Sequence, residues 1–215
     1  MMDWENLILL FVTLIISLTV HEAAHALFAL LGGDRTAYYA GQVTLNPLPH
    51  IQREPFGMVV LPLLTLYLSG GTSTLGFAHA PIDARWAFDH PRKAALMSAA
   101  GPLANALLAA IAFVVLYAIG NPEGEAAEAV RRIATTFLLL NVLLAVFNLI
   151  PVPPLDGAGI VSGLVPAMRR PYEVLQGIPY SSIVIFVLLI QVIPHLFWPV
   201  FDAIDRLLPY STRFG

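Results

Sequence analysis

The sequence predicts an all-α membrane protein. About four transmembrane helices, a re-entrant segment and a short membrane-associated β-hairpin would form one membrane-embedded domain over residues 1–215. Three observations lead there. Hydrophobic residues make up 58% of the chain and charged residues 12%, against about 45–50% and about 25% in soluble domains. Four stretches are long enough to span a bilayer and nearly free of charge. A segment rich in aromatic and β-branched residues is punctuated by turn residues. The mean hydropathy of +0.76 agrees with the first observation.

In chain order, residues 7–31 hold Glu22 as their only charged side chain, and residues 94–119, 133–155 and 177–201 hold none. Each reaches the roughly 20 residues that a spanning helix needs. The first is not read as a cleaved signal peptide: Met1-Met2-Asp3-Trp4-Glu5-Asn6 has no positive charge and the apolar run is too long. Residues 36–50 carry Tyr38, Tyr39, Val43 and Thr44 with turn residues Gly41 and Asn46-Pro47, the composition of a hairpin. Such strands are tolerated at membrane depth only beside protein or a water-filled cavity. Residues 58–68 form an apolar run containing Pro62, followed by Ser69-Gly70-Gly71-Thr72-Ser73-Thr74. A run that short is re-entrant or interfacial more often than spanning.

Composition also excludes functions. With no cysteine there is no disulfide, thiolate nucleophile or thiolate ligand. A net charge of −3 leaves no basic footprint for nucleic acid.

The chemistry concentrates in His21-Glu22-Ala23-Ala24-His25, inside the first apolar stretch. Residues four apart share a helix face, so both imidazoles can address one metal ion. Glu22 stands beside them, where it can take a proton from water. This H-E-x-x-H pattern is the zinc-protease signature. A charged Asp near the centre of a spanning helix costs about 2.5–3.5 kcal/mol on insertion scales. Two imidazoles and a carboxylate therefore need compensation, and a bound cation provides it. Zinc needs a third protein ligand, which here must be Asp, Glu or His. The third stretch runs into Asn148-Leu149-Ile150-Pro151-Val152-Pro153-Pro154-Leu155-Asp156-Gly157. The prolines stop the helix, Gly157 lets the chain turn, and Asp156 falls on broken backbone. Two roles fit Asp156: third metal ligand, or cap of a helix over residues 158–168.

If Asp156 shares a depth with His21 and His25, both motif-bearing helices run the same way, and an odd number of crossings separates them. Residues 94–119 supply one, so residues 58–68 should not cross. Arg35, Arg53, Arg85, Arg92 and Lys93 precede that crossing, Arg169 and Arg170 follow Asp156, and the N-terminal hexapeptide has no basic residue. The positive-inside rule places the N-terminus outside and the metal site nearer the cytoplasmic face. A last crossing around residues 181–200, interrupted by Pro194 and Pro199, would put the C-terminus outside.

The chain resembles the site-2 protease family of intramembrane zinc metalloproteases, in a short prokaryotic form without peptide-binding or nucleotide-sensing modules. H-E-x-x-H matches His21–His25, N-x-x-P-x-P-x-L-D-G matches Asn148–Gly157, and A-G-P-x-x-N matches Ala100-Gly101-Pro102-Leu103-Ala104-Asn105. The stretch Thr44-Leu45-Asn46-Pro47-Leu48-Pro49-His50-Ile51 is also similar to short members. The resemblance implies Zn2+ held by His21, His25 and Asp156, Glu22 as catalytic residue, and Asn105 and Asn148 near the substrate backbone. For Asn105 an interhelical hydrogen bond is an equal reading. The implied activity is peptide-bond hydrolysis in or near transmembrane segments, with a membrane-protein substrate in a bacterial or archaeal cytoplasmic membrane. Substrate choice falls to the membrane domain or to a regulatory membrane partner. The hairpin over residues 36–50 would hold an unwound substrate by strand addition. One departure is Phe77-Ala78-His79-Ala80-Pro81, where short members often have a Lys-Pro pair. His50, His79, His90 and His195 are read as surface residues.

Two alternatives differ in what they require. A prenyl-protein-type endopeptidase would take its third ligand from a Glu or His on a later helix. A non-catalytic scaffold or transporter would have no need of Glu22, and a transporter would show an internal repeat of paired half-helices.

Overall fold

The computed structural model describes residues 4–120, 124–209 and 212, and every regular element among them is helical. Four helices are long and apolar enough to cross a membrane: α1 (Trp4–Gly32), α6 (Pro91–Ile119), α7 (Glu125–Asn148) and α10 (Ser181–Asp205). The shorter helices are α2 (Thr36–Tyr39), α3 (Pro47–Arg53), α4 (Phe56–Leu68), α5 (Ala84–Asp89), α8 (Asp156–Leu164) and α9 (Arg169–Gly177). Two compact units divide the chain, Met1–Ala104 and Asn105–Gly215, with α6 running from one into the other.

In the first unit, α1 ends in a Schellman closure. Asp34 N–H reaches the Ala29 carbonyl (2.9 Å), Gly33 N–H reaches Leu30 (3.0 Å), and Gly33 takes a φ of +108° that favours glycine. The Gly32 carbonyl accepts from Trp86 Nε1 (3.2 Å) and Lys93 Nζ (3.0 Å), tying the end of α1 to α5 and the start of α6. Asp34 is buried and ties the following turns together. Its carboxylate accepts from Thr36 N–H (2.8 Å), Thr36 Oγ1 (2.6 Å) and Asp83 N–H (2.9 Å). Burial works against its ionisation, but these three bonds outweigh it and hold the carboxyl below its usual value of 3.8.

The expected β-hairpin over residues 36–50 is not there. Those residues form α2, a turn at Gly41 (φ +70°) and the start of α3. Gly41 does turn the chain, but Asn46-Pro47 starts a helix. Asp34 binds the Thr36 N–H at the head of α2. Asn46 is the N-cap of α3, accepting from Leu48 N–H at 3.1 Å, with Pro47 in the first turn. His50 is likewise not a surface residue: it is 1% exposed, and its Nε2–H donates to the Thr44 carbonyl at 3.0 Å. His79, His90 and His195 are exposed as expected.

The ambiguous apolar run is a short helix. The 13 residues of α4 reach only about 20 Å at 1.5 Å each, short of the roughly 30 Å hydrocarbon core. It opens with a π-helical turn over Phe56–Val60, in which Leu61 N–H bonds to the Phe56 carbonyl. Pro62 has no N–H to continue that register, and the Gly57 carbonyl takes the Phe77 N–H instead at 3.1 Å. Gly57 must be glycine, because a Cβ there would overlap Phe77.

Residues 75–80 then run without regular structure but with a regular bonding pattern. Leu75 N–H donates to Thr65 Oγ1 (3.0 Å), Phe77 N–H to Gly57, and the His79 carbonyl accepts from Arg53 Nε (3.3 Å). Alternate residues bonding on one side is the habit of an extended chain. The intervening Gly76, Ala78 and Ala80 make no backbone hydrogen bond among the described residues.

The second unit packs around α7 and α10. Ala109, Ala112, Leu116, Ala134, Leu138, Val142, Phe197 and Phe201 form its core. In lipid, close fit and dispersion drive such packing more than exclusion from water, and small residues let backbones approach. Asn105 and Asn141, both wholly buried, are joined by a 2.9 Å bond from Asn105 Nδ2 to Asn141 Oδ1. Pro194 and Pro199 do not break α10.

Candidate metal centre

His21, Glu22 and His25 are 5%, 3% and 5% exposed, and each offers a ligand atom within 4.8 Å of the others. The i, i+4 spacing works as the sequence predicts. The two Nε2 atoms face each other at 2.9 Å. Two nitrogens on one tetrahedral zinc at about 2.0–2.1 Å each stand about 3.3 Å apart, so the pair is close to the required span. His25 Nδ1 lies 2.7 Å from the Met97 carbonyl. A carbonyl only accepts, so Nδ1 carries the proton and Nε2 presents its lone pair, the tautomer a metal needs.

Helix α6 makes the room. A Cβ on Gly101 would stand on the Nε2 atoms of both histidines. Met97 and Gly101, one turn apart on α6, thus serve His25 and His21, one turn apart on α1. Glu22 Oε2 is buried and has no hydrogen-bond partner among the described residues. A buried carboxylate oxygen left in that state is costly unless a cation or a proton meets it. The donor set, the fixed tautomer, the glycine gap and this oxygen all fit a divalent cation of the zinc type.

Asp156 lies in the second unit at the first position of α8. The N-cap position of α8 is Leu155, with Asp156 one residue inside the helix, and the helix ends at Leu164 rather than Met168. Gly157 serves packing rather than a turn: it is helical, and a Cβ would overlap the Leu149 and Ile150 carbonyls. Asn148 Nδ2 donates to the Leu144 carbonyl of its own helix at 3.0 Å. Sequence reasoning missed Asn141, although an Asn inside a charge-free stretch was a visible signal, and it missed the service of Met97 through its backbone, which no side-chain pattern reports.

A buried His-Glu-His metal cluster inside an apolar helix defines a membrane-embedded zinc hydrolase. The profile of peptidase family M50 matches residues 9–129 and 118–191, and the chain belongs to that family, the intramembrane zinc metalloproteases of the site-2 type. The chain is 37% identical over 201 residues to YwhC of Bacillus subtilis, named as a candidate zinc metalloprotease, covering 90% of this chain and 86% of YwhC. It is 34% identical over 146 residues to Rip2 of Mycolicibacterium smegmatis, also named as a candidate zinc metalloprotease, covering 67% of this chain and 52% of Rip2. Rip2 of Mycobacterium tuberculosis is 30% identical over 158 residues, 73% of this chain and 57% of Rip2. The chain thus spans about half the length of the Rip2 proteins. No solved structure matches it. The protein is a zinc-dependent intramembrane endopeptidase, and the non-catalytic scaffold or transporter is not favoured.

Proposed function

We propose that Asp156 completes the ligand set of His21 and His25, that Glu22 is the proton-transfer group, and that the substrate is a transmembrane segment of another membrane protein. The buried Glu22 oxygen beside two imidazoles whose Nε2 atoms converge, with His25 held by Met97 in the tautomer that presents its lone pair, is the observation that carries this reading. For Asp156, support comes from the absence of Cys, the motif at Asn148–Gly157, and its position at the head of α8. With that ligand set the two units act as one metalloprotease domain.

When bound, zinc supplies Lewis-acid activation of water and of the scissile carbonyl. Glu22 takes the proton of the attacking water and returns it to the leaving amine. The His25 Nδ1–H···O bond to Met97 holds its ring in place through the cycle. Asn148 and Asn105 are assigned to the substrate backbone by the family motifs; in the structure their amides are held by the Leu144 carbonyl and by Asn141.

A helical substrate hides its carbonyls and must unwind. The outward edge of residues 75–80 can take the place assigned to the absent hairpin. Gly76, Ala78 and Ala80 make no backbone hydrogen bond among the described residues, and at membrane depth such groups must face water or another chain. An extended peptide paired there satisfies both chains. The enzyme sits as a multi-pass protein in a prokaryotic cytoplasmic membrane, N-terminus outside. A membrane partner supplies regulation.

Zinc content of detergent-purified wild type, His21→Ala and Asp156→Ala tests the ligand set. One zinc per wild-type chain, lost or weakened in both variants, is expected; zinc retained in Asp156→Ala removes that residue from the site. Cleavage of transmembrane model substrates tests the edge. Ala78→Pro, which deletes an N–H that bonds nothing among the described residues, should retain zinc and lose cleavage, and unchanged cleavage overturns the edge.

A further inference from the structure

The loop that carries Asp156 is short of hydrogen-bond donors. Residues 149–155 have seven carbonyls but only four N–H groups, those of Leu149, Ile150, Val152 and Leu155, because three residues are proline. All four are spent: Leu149 N–H on Ala145, Ile150 N–H on Phe147, Val152 N–H on Ile150 and Leu155 N–H on Val152. No backbone N–H among the described residues reaches the Pro151 carbonyl. Its donor comes from elsewhere in the chain: the Tyr172 hydroxyl on α9, at 2.8 Å.

Helix α9 is itself fastened. Arg169 Nε donates to the Ser162 carbonyl in the last turn of α8 at 3.2 Å. The strap therefore grips both sides of Asp156: Tyr172 holds the loop five residues before it, and Arg169 holds the helix that begins with it. A prolyl loop has little internal bonding with which to fix a side chain to the tolerance a metal site needs. An external phenol on the Pro151 carbonyl supplies part of that order.

We propose that Tyr172 is a positioning residue for Asp156, fixing the prolyl loop through Pro151 so that the carboxylate meets the metal in a defined geometry. This rests on the reading of Asp156 as a ligand. Outer-shell partners of metal ligands are worth about 10–100-fold in affinity, and for Tyr172 the lower end, about tenfold, is expected.

The test is a double-mutant cycle with Tyr172→Phe, Asp156→Ala and the double variant, in full-length detergent-purified protein. Tyr172→Phe deletes only the hydroxyl. Two readouts besides activity are used: zinc affinity against a chromophoric chelator, and the visible absorption of the Co2+-loaded protein, which reports ligand geometry. The expected result is a zinc Kd raised about tenfold and a changed Co2+ spectrum for Tyr172→Phe, with no further change when it is added to Asp156→Ala. An unchanged Kd and spectrum in Tyr172→Phe overturns the proposal, with Asp156 left as a ligand. So does an equal loss in both backgrounds, which marks a general structural role. If Asp156→Ala itself matches wild type, the ligand reading has failed, and this inference goes with it by a separate arm.

Discussion

Helices α1 and α10 have nearly the same length and are both strongly apolar, yet they live in different surroundings. The most apolar window of α1 is 44% buried within the protein and that of α10 is 11% buried. Helix α10 turns Ile183, Val184, Val187, Leu188 and Ile190 outward. In α1 the buried set includes Thr13, Ser17, Thr19, His21, Glu22 and His25. Apolar character thus marks both as spans, and the polar residues tell them apart. A side chain that lipid will not accept is hidden by protein, and the hidden group is where the chemistry lies.

Four measurements sharpen or break that contrast. The largest effect is expected at Glu22: Glu22→Gln should lower turnover by about 10²–10⁴-fold while zinc stays bound. Loss of zinc together with activity would make Glu22 a ligand instead of a proton-transfer group. Next is Gly101→Ala. Alanine improves intrinsic helix propensity by about 1 kcal/mol, yet its Cβ occupies the gap between the histidine Nε2 atoms. Zinc affinity should fall about 100-fold or more with α6 intact, read by chelator competition and circular dichroism. Wild-type affinity would show that the ion sits elsewhere.

Asn141→Leu comes third. It removes the buried bond with Asn105 and should cost about 1–2 kcal/mol of stability. Val187→Ala on the outward face of α10 should cost under about 0.5 kcal/mol. Comparable losses by denaturant titration in mixed micelles would break the contrast. The smallest effect concerns Asp34, just beyond α1. Its folded carboxyl titrates below its unfolded value, so its contribution is fully present at neutral pH and is lost as pH falls through the folded pKa, below about 3.8. The acid limb of the stability profile should therefore be shallower in Asp34→Asn than in wild type; superimposable limbs would deny it that role.

The sequence by itself determined the four helices long and apolar enough to span, because length and apolarity set what a bilayer accepts. It also determined the His-Glu-His cluster, because helical periodicity alone puts residues four apart on one face. It marked residues 58–68 as an apolar run too short to span, and the helix there, Phe56–Leu68, is short. Only the tertiary structure decided the rest. Residues 36–50 carry hairpin residues, but Asn46-Pro47 serves a helix start equally well, and the neighbouring Asp34 carboxylate tips the balance toward helix at Thr36. Burial of His50, the Met97 carbonyl that fixes the His25 tautomer, and the Tyr172 donor to Pro151 all join residues distant in sequence or act through the backbone. No local pattern encodes a partner of that kind, because which carbonyl lacks a donor is known only once every other donor has been placed.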